Sequence, residues 1–269
     1  MRNRLRRFLP ILLLAVACLY TYRWIVARIH SYPAAGITAL RAETRNGDIN
    51  VIVSAVDSIA VVDSTYAYGR DRADAEEAAE NVVYSDTVVG GELIVKAEMP
   101  SGGRPYGASF TITSPDSTDL SLATTNGDVS VANAIGDINV STTNGKVALT
   151  GTTGTASVST TNGSLEVKVH RGALYGATSN GAIDCDIAAL RPTEAVALST
   201  TNGDVTLLLP EDVSALIEAT DTTGFITIYD FTVTYETQDE HHVRARIGSG
   251  ASGITIVTTN GNVVVRSRS

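Results

Sequence analysis

Glycine recurs every nine residues through the middle of the chain, and this period constrains the fold more than any other feature. The strict series consists of Gly127, Gly136, Gly145, Gly154, Gly163, Gly172 and Gly181. Two and four positions after each glycine the residue is apolar or small, and the residue between them is mostly polar, as in Val129, Ser130 and Val131. This alternation with a period of two predicts short strands that bury one face.

Successive nine-residue units differ in kind, so the full repeat has 18 residues, with two strands and two turns. Every second unit ends in Asn-Gly, and the pair returns at wider spacing near the end of the chain. The pairs are Asn126 and Gly127, Asn144 and Gly145, Asn162 and Gly163, Asn180 and Gly181, Asn202 and Gly203, and Asn260 and Gly261. We expect structural turns here, because Asn and Gly tolerate the left-handed backbone conformation of a tight corner. Threonines such as Thr142 precede the corner on the inward side and are expected to bond one another or the turn backbone.

A fixed period of this kind is typical of a solenoid, although a meander of β-hairpins also uses Asn-Gly turns. In a parallel solenoid, like residues of successive coils lie about 4.8 Å apart and form ladders, whereas the turns of a meander share no neighbours. Identity of the whole motif across repeats favours ladders, and a coil with two sides buries its apolar face against itself. Residues 119–269 are therefore predicted to form an all-β, parallel two-sided β-solenoid with coils of about 18 residues.

Residues 36–118 break the period and are predicted to form a small α+β capping segment, although TRNGDINVIV at 44–53 is a first copy of the motif. The stretch 71–83 is rich in helix formers with alanines along one side, and it predicts one helix. Strands are predicted at Ile59–Tyr66, Asn81–Val89, Glu92–Glu98 and Ser109–Thr113. Such a cap would cover the strand edges at the end of the solenoid. The charged insertion at 236–246 is predicted to be a hairpin arm beside the last coil.

Residues 1–30 combine a basic start with an apolar run from Phe8 to Val26. One interpretation is an uncleaved transmembrane helix, with Tyr22 and Trp24 at the outer interface of a hydrocarbon layer about 30 Å thick. The other is a signal peptide cut after Ala17. The apolar run continues past that cut, which favours a membrane anchor and a single-pass protein of the cell membrane with an exported C-terminal domain. A secreted or periplasmic protein is the alternative.

Charge is distributed unevenly between the N-terminus and the rest of the chain. The first 30 residues hold six arginines and no acidic residue, while the remainder carries 14 basic and 29 acidic residues. A body this acidic offers no basic stripe that could displace counterions from a nucleic acid. Nucleic acid is therefore excluded as a partner.

The residues with reactive side chains do not form a recognisable catalytic or metal-binding pattern. His241 and His242 are adjacent, so on a strand their side chains point to opposite faces. Two cysteines are too few for a zinc site. Acidic residues after the corner glycine suggest calcium-binding nonapeptides only superficially, because Lys146, Ser164 and Ala182 occupy the same position. We expect no enzyme activity, no metal and no cofactor.

Outward-facing positions beside the corners offer the best candidates for a binding surface. Two rows of hydroxyl side chains are predicted there: Ser141, Ser159 and Ser199, and Thr143, Thr161 and Thr201. A flat array of this kind suits a glycan, a partner's strand or ice, but it also suits plain solubility of a β-rich exterior. A sugar platform would depend on tyrosine side chains, with candidates Tyr66, Tyr68, Tyr84, Tyr106 and Tyr175.

The NGDI entry at 46–49, the helical stretch, the junction ITSPDSTDLSLATTNGDVSV and the TTNG units together resemble a bacterial family of β-strand-repeat proteins of unknown function, labelled putative adhesins. The resemblance covers roughly residues 37–265. It implies an envelope protein, with links to envelope-stress systems in some members, and no catalytic residues to carry over. The leading hypothesis is a non-enzymatic, membrane-tethered β-solenoid that presents a polar surface to an envelope protein or glycan. The alternatives are a module that self-assembles end to end and a glycan-processing enzyme; the oligomeric state is left open.

Overall fold

The computed structural model describes residues 21–102 and 104–268, which form two β-sheets packed face to face. Most of the predicted membrane anchor lies outside the described residues. Apolar side chains from both sheets fill the space between them, as expected for a two-sided coil. The N-terminal part comprises β1 (Tyr22–Pro33), β2 (Ala39–Glu43), β3 (Ile49–Val53), β4 (Ser58–Gly69), α1 (Arg72–Glu80), β5 (Val83–Val89), β6 (Glu92–Glu98) and β7 (Tyr106–Ser114).

The middle of the chain is a regular parallel solenoid. Its strands are β8 (Asp119–Ala123), β9 (Val129–Ala132), β10 (Ile138–Ser141), β11 (Val147–Thr150), β12 (Ala156–Asn162), β13 (Leu165–Arg171), β14 (Leu174–Asn180), β15 (Ile183–Ala189), β16 (Ala195–Asn202) and β17 (Val205–Leu209). Even-numbered strands stack in one sheet and odd-numbered strands in the other, in parallel register. Ile138 pairs with Ala156 and Val147 with Leu165, each 18 residues on. The predicted solenoid and its coil length are confirmed.

The last part of the chain stacks out of sequence order. Its strands are β18 (Ala215–Thr220), β19 (Ile226–Ile228), β20 (Val233–Gln238), β21 (His242–Ile247), β22 (Ser252–Asn260) and β23 (Val263–Ser267). The coil formed by β22 and β23 lies directly on β16 and β17, and the intervening segment is displaced beyond it. There β20 and β21 form the predicted antiparallel hairpin, which extends the sheet beside β18.

Sheet A, of 11 strands, and sheet B, of 12 strands, both run the full length of the stack. In sheet A the order is β1-β4-β7-β3-β9-β11-β13-β15-β17-β23-β19, and in sheet B it is β20-β21-β18-β22-β16-β14-β12-β10-β8-β2-β6-β5. The strands β2 and β3 pair in parallel with β8 and β9, so residues 39–53 are a solenoid coil rather than part of a cap. The predicted capping segment 36–118 is therefore corrected: it begins with a coil, and only its edge strands and helix close the end.

The N-terminal end of the solenoid is closed by antiparallel strands and the helix. The strands β1 and β4 continue sheet A beyond β7, and β5 continues sheet B beyond β6. Ala78 and Ala79 of α1 are buried against Ala67, with Trp24 and Val26 packed on the same cluster. Each sheet thus ends in a strand that pairs on one side only.

Residues 22–30, predicted as the outer part of a membrane anchor, instead form most of strand β1. This part of the prediction is wrong. Trp24 packs beside the helix, where the guanidinium of Arg72 lies 4.4 Å from its ring centroid. Arg28 and His30 interrupt the apolar character of this stretch, and burial alternates from residue to residue as in a strand with one covered face. Within residues 21–102 and 104–268, no helix has the length and apolarity needed to span a membrane.

Helix α1 begins and ends at defined hydrogen bonds. The N-cap residue Asp71 accepts a hydrogen bond from the backbone N–H of Asp74 at 3.0 Å. The carboxylate of Asp74 accepts from the backbone N–H of Arg70, and also from the side chains of Arg70 and Arg104, which lowers its pKa to about 2. The helix ends at Glu80, three residues before the predicted end, because the chain from Val83 onward pairs with β6.

A buried histidine marks an irregularity in the solenoid. Pairing between β13 and β15 shifts after Val167, and Val169 adopts a left-handed φ of 56°. The shift turns His170 inward, where its Nδ1 lies 2.9 Å from Thr152 Oγ1 and its Nε2 lies 3.1 Å from the carbonyl oxygen of Ala173. The hydroxyl donates to Nδ1 and Nε2–H donates to the carbonyl, so the site fits the neutral ring.

His170 is expected to make the protein less stable in mild acid. Burial lowers the pKa of His170 below 6.5, and this effect outweighs the hydrogen bond to Ala173, which raises it. The unfolded chain therefore binds more protons than the folded chain as the pH falls below about 6.5, and the free energy of unfolding decreases. Urea unfolding of the protein and of His170→Gln between pH 7.5 and pH 5 checks this. The substitution should flatten the pH dependence, and equal slopes for the two proteins would contradict the prediction.

Candidate binding surface

The asparagines of the repeated motif form one continuous ladder along an edge of the solenoid. From Asn126 onward, each side-chain amide donates to the amide oxygen of the asparagine one coil before it, at 2.7–2.9 Å. The ladder consists of Asn46, Asn126, Asn144, Asn162, Asn180, Asn202 and Asn260. Thr223 Oγ1 lies 3.4 Å from Asn260 Oδ1 at its far end, so the sequence TTGF at 222–225 also joins the stack.

The glycine after each asparagine from Asn126 onward is required by close stacking and not by a left-handed backbone. Of the paired residues predicted as turns, none has a φ in the left-handed region, so the predicted reason for the Asn-Gly pairs is wrong. A Cβ at any of these glycines would lie 1.9–2.1 Å from the carbonyl oxygen of the glycine in the adjacent coil. Glycine backbones therefore stack directly on one another, and no side chain fits between them.

The inward threonines complete the corner from inside. Thr142 Oγ1 donates to the carbonyl oxygen of Gly127 at 3.0 Å, and Thr160 Oγ1 donates to that of Gly145 at the same distance. Equivalent bonds are made by Thr124, Thr178, Thr200 and Thr258. We expected these threonines to bond either one another or the turn backbone, and these six hydroxyls bond the turn backbone. The asparagines, glycines and inward threonines of the motif therefore hold the coils together. Candidate binding residues lie on the outer faces of the two sheets.

The acidic residues after the corner also serve the backbone. Asp128 Oδ1 accepts from the backbone N–H of Lys146 at 2.7 Å, and Asp204 Oδ1 accepts from that of Asn262 at 2.7 Å. Asp48 does the same for Asp128 at 2.9 Å. Each carboxylate therefore supplies an acceptor to the next coil in the stack.

The outer face of sheet B contains a region without charged side chains, which we call the uncharged face. It comprises the outward residues of β10, β12, β14, β16 and β22: Asn139, Ser141, Ser157, Ser159, Thr161, Tyr175, Ala177, Ser179, Ala195, Ala197, Ser199, Thr201, Gly253, Thr255, Val257 and Thr259. The register brings Ser141 beside Ser159, and Ala177 beside Ser199. Small side chains on five neighbouring strands make this area flat.

Tyr175 is the largest side chain on the uncharged face and is 45% exposed. A shallow groove of about 300 Å³ runs beside it, and Ser159, Ser199, Thr255 and Val257 contribute to its walls. An aromatic ring next to hydroxyl groups offers both an apolar contact and hydrogen bonds to one ligand. Of the five tyrosines considered from the sequence, this one lies among the predicted hydroxyl rows.

All six predicted outward residues, Ser141, Thr143, Ser159, Thr161, Ser199 and Thr201, are exposed. The serines lie in one row across sheet B, with Ala177 between the second and third. The threonines lie two residues nearer the corner, beside the asparagine ladder. Val257 and Thr259 extend these rows, because β22 stacks on β16 across 58 residues, and Thr255 lies beside Ala197 on the same face. Neither row as predicted included them.

Charged residues border the uncharged face at both ends. Asp119 of β8 and Asp137, just before β10, are exposed, and the carboxylate of Asp119 accepts from the backbone N–H of Asp137. The charged residues farther out are paired among themselves. At one end Arg41 Nε lies 3.1 Å from Glu92, and Lys96 Nζ lies 2.9 Å from Glu43. The other border is a second set of ion pairs, between Glu236 and both Arg244 and Arg246 and between Arg244 and Glu218. The middle of sheet B, between these charged residues, is therefore a neutral surface.

The outer face of sheet A, unlike the uncharged face of sheet B, carries many charged side chains. Glu166 forms ion pairs with Lys146 and Lys168, and these hydrogen bonds lower the pKa of Glu166 below its ordinary value. Asp186 pairs with Arg268 at 2.7 Å. A groove of about 410 Å³ on this face is lined by both acidic and basic side chains. The two outer faces of one solenoid therefore differ in charge.

Comparison with known families identifies the family to which this stack of parallel coils belongs. The family model described as Toastrack DUF4097 matches residues 90–266, about two thirds of the chain. The chain belongs to the Toastrack DUF4097 family. This confirms the resemblance seen in the motifs and agrees with the parallel sheets of the fold. No curated protein sequence matches the chain.

Three solved structures illustrate the Toastrack chain's likeness to other bacterial proteins. A "putative adhesin" from Bacteroides fragilis is 12% identical over 91% of this chain and 97% of its own, with a TM-score of 0.45. A "putative lipid binding protein" from Parabacteroides distasonis is 12% identical over 90% and 96%, with a TM-score of 0.44. A "putative cell adhesion protein" from Clostridium sporogenes is 12% identical over 91% and 100%, with a TM-score of 0.39. At this sequence identity and these TM-scores, nothing about the ligands of those proteins applies to this chain.

The adjacent histidines His241 and His242 of this Toastrack chain contact different carboxylates. His241 Nδ1 lies 2.5 Å from Asp221 Oδ1, while His242 Nε2 lies 3.6 Å from Glu218. The neighbours thus reach different carboxylates, as their adjacency predicted. Across the part of the chain that the structure describes, no group of three His, Cys, Asp or Glu side chains is placed to hold a metal ion.

Proposed function

We propose that this Toastrack protein is a non-enzymatic scaffold of the bacterial cell envelope that presents its uncharged face for adhesion or protein contact. The observation that carries the proposal is the neutral, flat, hydroxyl-rich area on sheet B. A partner covering this area has no ionised group to desolvate, which is the main cost of burying polar surface.

The groove beside Tyr175 indicates where a partner would be anchored. Aromatic side chains supply much of the contact energy in protein interfaces because they bury a large area with few rotatable bonds. Hydroxyl groups of Ser159 and Ser199 on the same face would then fix orientation through hydrogen bonds. An uncharged glycan or a neutral polar surface of an envelope protein fits this chemistry.

The proposed location follows from the residues before the fold. A basic start and the apolar part of the sequence at 8–20 precede β1, and we propose that this segment directs export and tethers the protein to the membrane. The solenoid would then stand outside the cell membrane. A signal peptide that is removed remains the alternative.

A charge placed in the middle of the uncharged face tests the function. The full-length protein, purified in detergent, is applied to an array of bacterial surface glycans and immobilised envelope proteins. Ser159→Lys combined with Ser199→Lys should weaken binding about tenfold or more, because a partner would have to bury unpaired ammonium groups. Tyr175→Ala should weaken the same signals.

Thr150→Lys serves as the matched control, because Thr150 is exposed on the outer face of sheet A. It adds a lysine to the same scaffold and should leave binding unchanged. Equal loss with the control, unchanged binding of the Ser159 and Ser199 variant, or no binding of the wild-type protein to any array component would each overturn the proposal.

A further inference from the structure

Strand β1 has the longest free edge among the described strands. It ends sheet A and pairs only with β4, over all 12 of its residues and without a bulge. The other terminal strands, β19, β20 and β5, have three, six and seven residues. A free edge of this length offers a row of backbone donors and acceptors to another strand.

The outward side chains of β1 do not protect this edge. Ile25 is 52% exposed and Ile29 is 77% exposed, and the residue midway between them, Ala27, is exposed as well. Proteins usually shield such an edge with lysine, proline or a bulge. Here the outward positions carry one charge, on Arg23, at the start of the strand, and proline appears only at Pro33.

The register with β4 shows which residues of β1 face the free edge. The backbone N–H of Ala34 donates to the carbonyl oxygen of Asp57 at 3.0 Å, in the same register as the strand itself. Hydrogen-bonded positions alternate in an antiparallel pair, so even-numbered residues of β1 direct their backbone groups to β4. The backbone groups of Arg23, Ile25, Ala27, Ile29 and Ser31 therefore point to the open side.

We propose that two copies of this chain pair through β1 in antiparallel orientation, with the two-fold axis at Ala27. Backbone parity requires odd-numbered residues to face odd-numbered residues. Centring on Ala27 places Ile25 opposite Ile29 of the second copy, so two apolar pairs form across the contact. The same register sets Arg23 opposite Ser31. Moving the centre to Arg28 would oppose two arginines, and moving it to Val26 would oppose Ile29 and Arg23.

This contact uses the same patch on both copies, so it closes at a dimer and does not propagate. It differs in this respect from end-to-end stacking of solenoids, which would join β1 and β5 of one copy to β19 and β20 of the next. The inference does not depend on the uncharged face, which lies on the other sheet. Pairing would convert the two copies of sheet A into one continuous sheet.

Cysteine crosslinking tests the register in the full-length protein carrying Cys18→Ser, where the remaining Cys185 is buried. Ala27→Cys should give a covalent dimer with a short bifunctional thiol reagent, because opposite Cα atoms lie about 5.5 Å apart. Ile25→Cys alone is the matched control: its counterpart would lie about 14 Å away, so no dimer is expected. Ile25→Cys combined with Ile29→Cys should crosslink again. Failure of Ala27→Cys, or equal crosslinking of Ile25→Cys, would overturn the register.

Charge substitution tests the contact without crosslinks. Light scattering should show a dimer for the wild-type chain and for Ile25→Lys with Ile29→Glu, which sets opposite charges across the axis. Ile25→Lys with Ile29→Lys should raise the dimer dissociation constant about tenfold or more, since like charges would face each other. Both positions are exposed, so circular dichroism should show the same fold for all three proteins. A monomeric wild type, or identical behaviour of the two variants, would overturn the proposal.

Discussion

Gly145→Ala is expected to lower the free energy of unfolding by about 3 kcal/mol, although it adds a single methyl group. The new Cβ would lie 1.9 Å from the carbonyl oxygen of Gly127 and 2.5 Å from its carbonyl carbon. Both are backbone atoms of the coil below, so the clash is relieved only by separating two coils. Separation would also stretch the hydrogen bond from Asn144 to Asn126. Urea unfolding followed by circular dichroism measures the loss as a lower midpoint with an unchanged slope.

Gly253→Ala is the matched control for this experiment. Gly253 lies in β22 on the outer face of sheet B, and a Cβ there would meet no heavy atom within 4 Å. Alanine should be neutral or stabilise by about 0.5 kcal/mol, because it loses less backbone entropy on folding than glycine does. If both substitutions cost the same, the direct contact between glycine backbones would not be what holds the coils in register.

The fold could be predicted from the sequence wherever each coil repeats the last. The nine-residue period fixed the strand faces, so inward residues such as Val147 and Leu165 and outward residues such as Ser159 follow from parity alone. The physical reason for Gly145 could not be derived in the same way. It rests on the carbonyl of Gly127 in the adjacent coil, a contact that conformational preference within one turn does not contain.

The ends of the solenoid were predicted less well because their neighbours are distant in sequence. The coil of β2 and β3 lies against β8 and β9 across an excursion through α1, and β22 lies against β16 across the displaced hairpin. Hydropathy along the chain cannot detect either rearrangement. It likewise assigned residues 22–30 to an anchor, because apolarity alone does not distinguish a lipid-facing residue from one that packs on a helix, as Trp24 does.

The candidate surface, too, was predictable where it follows the repeat and unpredictable where it depends on residues distant in sequence. The rows containing Ser141 and Thr143 were predictable from the repeat, because an outward position in one coil is outward in the next. The borders of the uncharged face were not, since Arg41, Glu92 and Arg244 reach sheet B from segments outside the regular period. Tyr175 was one of five tyrosines considered as candidates from the sequence, and only the register places it beside the hydroxyl rows.

Arg28→Met is expected to destabilise the protein by about 3 kcal/mol, because it leaves a buried carboxylate without its partner. Arg28 of β1 lies directly opposite Asp63 of β4, with 3.2 Å between Nη1 and Oδ2, and the Asp63 side chain is 0% exposed. Thr65 Oγ1 also donates to Asp63, at 3.0 Å, but a neutral hydroxyl does not offset the charge. Urea unfolding at fixed protein concentration measures the effect, so that any association through β1 is the same in both samples.

Adding Asp63→Asn to Arg28→Met should restore at least about 1 kcal/mol, because the neutral amide removes the uncompensated charge and keeps an acceptor for Thr65. The pair of variants also decides between the two assignments of this segment. In a membrane anchor, Arg28 would lie just beyond the apolar run, so methionine would not destabilise the folded domain, and Asp63 would not respond to it. In strand β1, the same replacement destabilises the fold and the second substitution compensates for it. A neutral Arg28→Met variant would contradict the strand, and recovery by Asp63→Asn would place residues 22–33 in the β-sheet.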